Sequence, residues 1–288
     1  MTWAGFWFLP GNAVYLGVVR VLFMLTLFIT VKTVRLPQFG QLYLTVPTAY
    51  YPTTFYRWFP RAFPRWIATH AVMLERLWYG AILLAGSGLL FPLGSIAVAF
   101  LTLFLIGLRK QFGKIVHAKN TLPLFAFILA CAPADALCFG PSFPLVDAAH
   151  GYFWPLQLGR VLVALVWFSA GVAKLRYGGR RWIVSDYLSK LLRLHVFDYY
   201  FVPPRAPALS RWIASHQALC VLLAIGTHIL ELGFPLALFN PWAALFFVPS
   251  SLLLIVGFVF AQGPFFRPLM ILTILVWFPY HPVIALLR

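Results

Sequence analysis

Eight apolar stretches, each close to the length of a membrane-spanning helix, follow one another along the chain. An α-helix rises about 1.5 Å per residue, so about 20 apolar residues cross the hydrocarbon core of a bilayer. Runs of this length are typical of transmembrane helices. The stretches lie at about 13–31, 70–90, 93–109, 121–138, 153–174, 211–239, 243–260 and 268–286.

The composition excludes a soluble globular protein. Hydrophobic residues make up 62% of the chain, charged residues 10%, and the mean hydropathy is +0.88. A soluble domain has about half apolar and about a quarter charged residues. The sequence therefore predicts an all-α polytopic membrane protein, a bundle of about eight transmembrane helices that forms one domain over residues 1–288. The motif FPLG, residues 91–94, is predicted to form the turn of a hairpin between the second and third helices.

The basic residues indicate the orientation of the bundle. The chain has 22 Lys and Arg residues and a net charge of +16. With an outer N-terminus, eighteen of the 22 fall in loops on the inner face and none in loops on the outer face. This asymmetry predicts that both termini lie on the outer face of the membrane, with anionic lipid headgroups as partners. A nucleic-acid partner is not expected, because no recognition module accompanies the charge.

The largest loop, roughly residues 175–210, contains a second helical pattern. Arginines stand at its start, and aromatic residues occur throughout. The pattern predicts an amphipathic helix at about 182–200, which is either an interfacial connector or a gate for a substrate. Its apolar side chains at helical spacing are Ile183, Tyr187, Leu188, Leu191 and Leu194.

Lys174 lies where the fifth apolar stretch ends and this basic loop begins. Two interpretations are open. A lysine at a helix end can extend its ammonium to the headgroups at little cost. An ionisable group at membrane depth can instead mark a site, because it costs several kcal/mol unless it is paired.

Other charged groups lie within the predicted spans, although the chain has only six Asp and Glu residues. Arg20 and Arg160 are two of them. Glu231 is a third, and His228 shares its helix face because the two are three residues apart. Glu231 is predicted to pair with an arginine or histidine of another span. These groups are either structural counter-ions and interhelical hydrogen bonds or parts of a proton-handling site.

The motif HAKN, residues 117–120, places His117 and Asn120 at the same membrane face as Lys174. A desolvated lysine can lose its proton and then act as a base near neutral pH. Metal binding is an alternative use of some of these groups, but the ligand pattern is not repeated and no metal is expected. The ligands for that alternative would come from His70, Glu75, His117, His228 and Glu231.

The string FSAGVAKLRYGGRRW, residues 168–182, followed by SDYLSKLL, resembles the central motif of the horizontally transferred transmembrane domain, the membrane domain of vitamin K-dependent gamma-carboxylases. The resemblance covers nearly the whole chain in order. The lysine motif is specific, and the other matches are softer. Between Lys174 and Trp182 the chain has extra residues, Tyr177 to Arg180, that the family pattern lacks. The softer matches are YLGVVRVLF with Arg20, HAKNTLPLFAFILA with His117, LGRVLVALVW with Arg160, and THILELGFPLALF with Glu231.

The resemblance implies a location in a bacterial-type cytoplasmic membrane and a function, as well as a fold. In gamma-carboxylases the lysine that matches Lys174 deprotonates vitamin K hydroquinone, and the histidine that matches His117 belongs to the active site. Oxygen then converts the quinol anion into a strong base, a peptide glutamate loses a proton, and carbon dioxide adds. The resemblance therefore implies a reduced isoprenoid quinone or a similar lipid, and a peptide or protein substrate, acted on by a lyase or oxidoreductase. The alternative is a non-catalytic accessory protein for maturation, export or immunity of a secreted peptide.

Overall fold

The structure is a computed structural model that describes residues 3–9, 11–34, 36–45, 59–60, 62–110, 121–133, 135–138, 151–184, 186–197, 204–262 and 266–277. All regular structure in these ranges is helical, as the sequence predicts. The chain divides into two compact units, residues 1–159 and 160–288, and the boundary lies inside one long helix. The prediction of a single domain stays a prediction, and each unit is described by itself.

The first unit holds the N-terminal helices. Helix α5 packs against α2 and α6, and α6 packs against α7. The helices are α1 (Trp3–Trp7), α2 (Ala13–Val34), α3 (Leu36–Thr45), α4 (Ala62–Thr69), α5 (Ala71–Ser87), α6 (Phe91–Lys110), α7 (Thr121–Ala130) and the start of α8 (Trp154–Gly178).

The hairpin of α5 and α6 forms, but its turn differs from the prediction. Helix α5 ends at Ser87, and Gly88 follows with φ of 79°, a left-handed conformation that favours glycine. Helix α6 already begins at Phe91. The prediction of a turn at FPLG is therefore wrong. Pro92 lies in the first turn of a helix, where its missing N–H costs no hydrogen bond.

The second unit holds the rest of α8 and six further α-helices among the residues described. Helix α12 continues directly into a short 3-10 helix, Phe234–Leu238, and α13 packs against α14. The α-helices after α8 are α9 (Arg181–Val184), α10 (Tyr187–Phe197), α11 (Pro207–Ser215), α12 (Gln217–Gly233), α13 (Pro241–Ala261) and α14 (Arg267–Trp277).

Five of the described helices are long and apolar enough to cross a membrane, which supports an integral membrane protein. The other three predicted spans correspond to shorter helices: α5 has 17 residues, α7 has 10 and α14 has 11. The count of eight spans stays a prediction. The five candidate spans are Ala13–Lys32, Phe91–Leu108, Trp154–Gly178, Gln217–Leu238 and Pro241–Ala261.

The predicted amphipathic segment forms two helices, α9 and α10, rather than one. Helix α10 buries Leu188 and Leu192 in a cluster with residues of α11 and α12. Tyr187 and Leu194, which the pattern places on the same apolar face, are exposed. The buried face is therefore narrower than the pattern indicates, because only the side with Leu188 and Leu192 packs against α11 and α12. The interfacial position stays a prediction.

Candidate functional site

Lys174 and Glu231 form an ion pair between two of the candidate membrane spans. Lys174 lies four residues before the end of α8, and its Nζ donates a hydrogen bond to Oε1 of Glu231 on α12. The lysine side chain is 19% exposed and the glutamate side chain 4%. Charges so far from water persist only when they are paired, so each residue stabilises the other. The lysine therefore contacts a neighbouring helix. A lysine that only extended its ammonium to the headgroups would not need this contact.

A glycine one turn before the lysine allows this pairing. A Cβ on Gly171 of α8 would lie 2.9 Å from Leu232 and 3.1 Å from the Cβ of Glu231. Because Gly171 has no side chain, α8 and α12 approach closely at this point, as membrane helices do where a small residue lies between them. The close approach brings Glu231 within reach of Lys174.

His228 lies on the same face of α12, one turn before Glu231, and is 5% exposed. Its Nδ1 is 2.8 Å from the carbonyl oxygen of Ala224. Nε2 of His228 and Oε2 of Glu231 are buried and have no hydrogen-bond partner among the described residues. Buried polar atoms normally have a partner, so the two atoms mark a place where a ligand or a proton can bind.

Trp182 covers the lysine and the histidine. Nζ of Lys174 lies 5.2 Å from the centre of the indole ring, within the range of a cation–π contact. The indole and imidazole centres of Trp182 and His228 are 6.2 Å apart in an edge-to-face arrangement. The ring therefore stabilises positive charge at Lys174 and contacts the second group that can carry it.

Two glycines between the lysine and the tryptophan produce this arrangement. Gly179 has φ of 51°, and its N–H donates to the carbonyls of Lys174 and Leu175 at 3.2 and 3.0 Å, which ends α8. A Cβ on Gly178 would collide with the indole of Trp182. One glycine therefore turns the chain back, and the other leaves room for the ring beside the helix end.

Arg20 is placed by the structure in a separate cluster, within the first unit. It is fully buried, and its Nε and one terminal nitrogen bind the two oxygens of Asp135 at 2.7 and 3.1 Å. That terminal nitrogen also donates to the carbonyl of Leu137 at 3.1 Å. The other terminal nitrogen donates to the carbonyls of Ala85 and Gly86 at 2.5 and 2.7 Å. All five N–H groups are thus used, so Arg20 has no donor left for a ligand.

Arg160 stands near the start of the second unit and is 7% exposed. Its Nε donates to the carbonyl oxygen of Val276 at 2.8 Å, and its guanidinium lies 5.4 Å from the ring centre of Trp277. These contacts join α8 to the C-terminal end of α14. They support the position of α8 and explain why an arginine is tolerated in a predicted span.

The structure agrees with some of the sequence predictions for the site and contradicts one of them. The structure brings together Lys174, Glu231 and His228. His117 and Asn120 lie outside the described residues. The predicted arginine or histidine partner of Glu231 is wrong, because the partner from another span is Lys174. The described residues contain no group of three His, Cys, Asp or Glu side chains that could hold a metal.

The sequence analysis missed one residue of the candidate site, Trp182, and one residue of the separate Arg20 cluster, Asp135. Trp182 gave no signal because aromatic residues make up 18% of the chain. Asp135 had a signal, since an arginine within a span needs one of only six acidic residues.

Comparison with family models, with curated proteins and with solved structures finds no match for the chain.

Proposed function

We propose that the chain is a short membrane relative of the gamma-carboxylase transmembrane domain that binds a reduced isoprenoid quinone or a similar hydroxyl-bearing lipid. Lys174 is the proposed base. The observation that carries this proposal is the pairing of Lys174 with the buried carboxylate of Glu231. The second oxygen of that carboxylate and Nε2 of His228 are buried and lack hydrogen-bond partners in the described part of the chain. The sequence resemblance supports the ligand class, and the reaction it implies is a carboxylase-type or oxygenase-type step.

The hydrogen-bonding groups of the site fit a ligand that carries a hydroxyl group. Oε2 of Glu231 is a hydrogen-bond acceptor, and a hydroxyl is a donor. A reduced quinone would supply the acidic hydroxyl. Lys174 as a neutral amine would accept its proton, and Glu231 and Trp182 would stabilise the resulting ammonium. His117 and Asn120 remain proposed members of the site on the strength of the resemblance.

An accessory protein without catalysis is the second candidate, for maturation, export or immunity of a secreted peptide. The observation that favours it is the same ion pair. A lysine held as an ammonium by a carboxylate can lock two helices together and have no further role. Lipid extraction of the purified protein separates the two candidates, because a retained quinone is expected only of the first.

Lys174→Arg tests the proposed role directly. Arginine keeps the charge and can still pair with Glu231, but it cannot act as a neutral base. We expect quinone to remain bound, and quinol-dependent oxygen uptake in proteoliposomes to fall about 100-fold or more. Lys190→Arg is the matched control, because that side chain is 74% exposed in an ion pair with Asp186. Full uptake in Lys174→Arg would reject Lys174 as the base.

We also propose the N-out, C-out topology, which rests on the charge of the loops. Single cysteines at two exposed positions test it, Arg180→Cys and Phe239→Cys in a background without the native cysteines. The second position avoids Asn240, whose side chain accepts hydrogen bonds from the first N–H groups of α13. In intact cells an impermeant thiol reagent should label residue 239 and spare residue 180. The reverse pattern would invert the topology.

A further inference from the structure

The Lys174–Glu231 pair poses a chemical problem for any base. Next to a carboxylate, the lysine is held as an ammonium, which has no lone pair with which to accept a proton. The proposed base is therefore available only if the proton moves elsewhere. Moving it to bulk water would leave Glu231, 3% exposed, as an unpaired buried anion. A proton that stayed on Glu231 would remove the counter-ion that Lys174 needs once it has taken up a proton from the substrate. The site therefore needs a third group that accepts the proton.

The hydrogen-bond geometry of His228 makes its neutral form suitable as that acceptor. A carbonyl oxygen can only accept, so the 2.8 Å contact between Nδ1 and the carbonyl of Ala224 places a hydrogen on Nδ1. Neutral imidazole carries one N–H group, so Nε2 holds a lone pair. That atom is buried and has no partner among the described residues. It is a buried proton acceptor.

The neighbours of His228 suit a positive charge. Glu231 is one helical turn away on the same face, and its Oε2 is not used by Lys174. The indole of Trp182 contacts the imidazole as well as the ammonium. One carboxylate and one aromatic ring therefore lie beside two groups, either of which can be the cation.

We propose that His228 takes up the proton that Lys174 releases, with Glu231 as the counter-ion of both states. An N–H bond of the ammonium breaks and the carboxylate of Glu231 takes the proton first. Because Oε2 of Glu231 and Nε2 of His228 are not hydrogen-bonded to each other, the carboxyl group must then turn toward the imidazole, where its O–H bond breaks and an N–H bond at Nε2 forms. The site has one negative and one positive charge before and after the transfer, and Lys174 becomes a neutral amine. This inference rests on the proposed function, which gives the reason why Lys174 must lose its proton. His228 acts through Lys174 and is a positioning residue.

The proton position can be measured without substrate or turnover. Protein labelled with 15N-histidine in lipid nanodiscs gives one set of signals for each of seven histidines, and His228→Phe identifies the set of His228. In the wild type we expect the neutral form with hydrogen on Nδ1. In Lys174→Met, which removes the other cation, His228 should become imidazolium to balance Glu231.

Two controls sharpen the result. In the double variant Lys174→Met/Glu231→Gln the carboxylate charge is gone, so His228 should return to the neutral form. Lys190→Met removes an exposed lysine from its ion pair and should leave His228 unchanged. If Lys174→Met does not fold, Lys174→Gln keeps a hydrogen-bond donor for Glu231 and carries the same expectation.

A neutral His228 in the folded Lys174 variants would overturn the proposed transfer. An imidazolium that persists after Glu231→Gln is added would also overturn it, because the charge would then have another cause. Neither result depends on the lipid. Failure of the proposed function appears separately, as full oxygen uptake in Lys174→Arg or the absence of quinone from the purified protein.

Discussion

Asp135→Ala should lower the free energy of unfolding by about 3–5 kcal/mol. The substitution leaves Arg20, fully buried, as a charge without a counter-ion, and two of its N–H groups lose their acceptors. The remaining carbonyls of Ala85, Gly86 and Leu137 cannot neutralise it. Denaturant unfolding in detergent, followed by helix content, measures the change in midpoint.

Asp186→Ala is the matched control, since it also removes an aspartate from an ion pair. Asp186 and Lys190 are 53% and 74% exposed and lie one helical turn apart, so their loss should cost only about 0.3–0.5 kcal/mol. Equal midpoints for the two variants would show that the Arg20 cluster contributes no more than a surface pair. Arg20→Lys should resemble Asp135→Ala, because one ammonium cannot reach the acceptors of a planar guanidinium.

Gly171→Leu should separate the two halves of the candidate site. Its side chain has no room between α8 and Leu232, so the helices must move apart. Overpacking of this kind costs about 1–3 kcal/mol of stability. The same movement withdraws Glu231 from Lys174, so quinol-dependent oxygen uptake should fall at least as far as in Lys174→Arg.

Gly226→Leu adds the same side chain to α12, at a position where a Cβ would meet nothing within 4 Å. Its stability and oxygen uptake should stay close to those of the wild type. Quinone binding and unfolding midpoints are compared for both variants. Wild-type uptake in folded Gly171→Leu would mean that contact between α8 and α12 is not needed for the activity.

The helical fold was predictable because hydropathy reports spanning length directly. The predicted stretch at 13–31 corresponds to α2, and the one at 153–174 to α8. Details that depend on single residues were less accessible. The turn between α5 and α6 lies before Phe91, where α6 begins, and not at residues 91–94 as predicted. The sequence could not decide this, because Pro92 is as compatible with a first helical turn as with a loop.

Part of the site was predictable for a simple reason. Lys174, Glu231 and His228 are polar groups in apolar surroundings, where their presence requires an explanation. Which partner each one takes depends on how helices pack, and the pattern of a single helix carries no such information. The sequence predicts an arginine or histidine as the partner of Glu231. Because Gly171 has no side chain, α12 comes close enough to α8 for Glu231 to pair with Lys174 instead.

The saturated guanidinium of Arg20 constrains the order in which the protein assembles. Its carboxylate partner lies 115 residues later in the chain. At about 5–20 residues per second, α2 therefore exists for roughly 6–23 s before that partner is synthesised. During this time Arg20 lacks its counter-ion and two of its hydrogen-bond acceptors, so its buried position among α2, α5 and the segment after α7 is not yet complete. The packing of this cluster is therefore completed late in synthesis, and a ribosome stalled before residue 135 would leave Arg20 without its carboxylate.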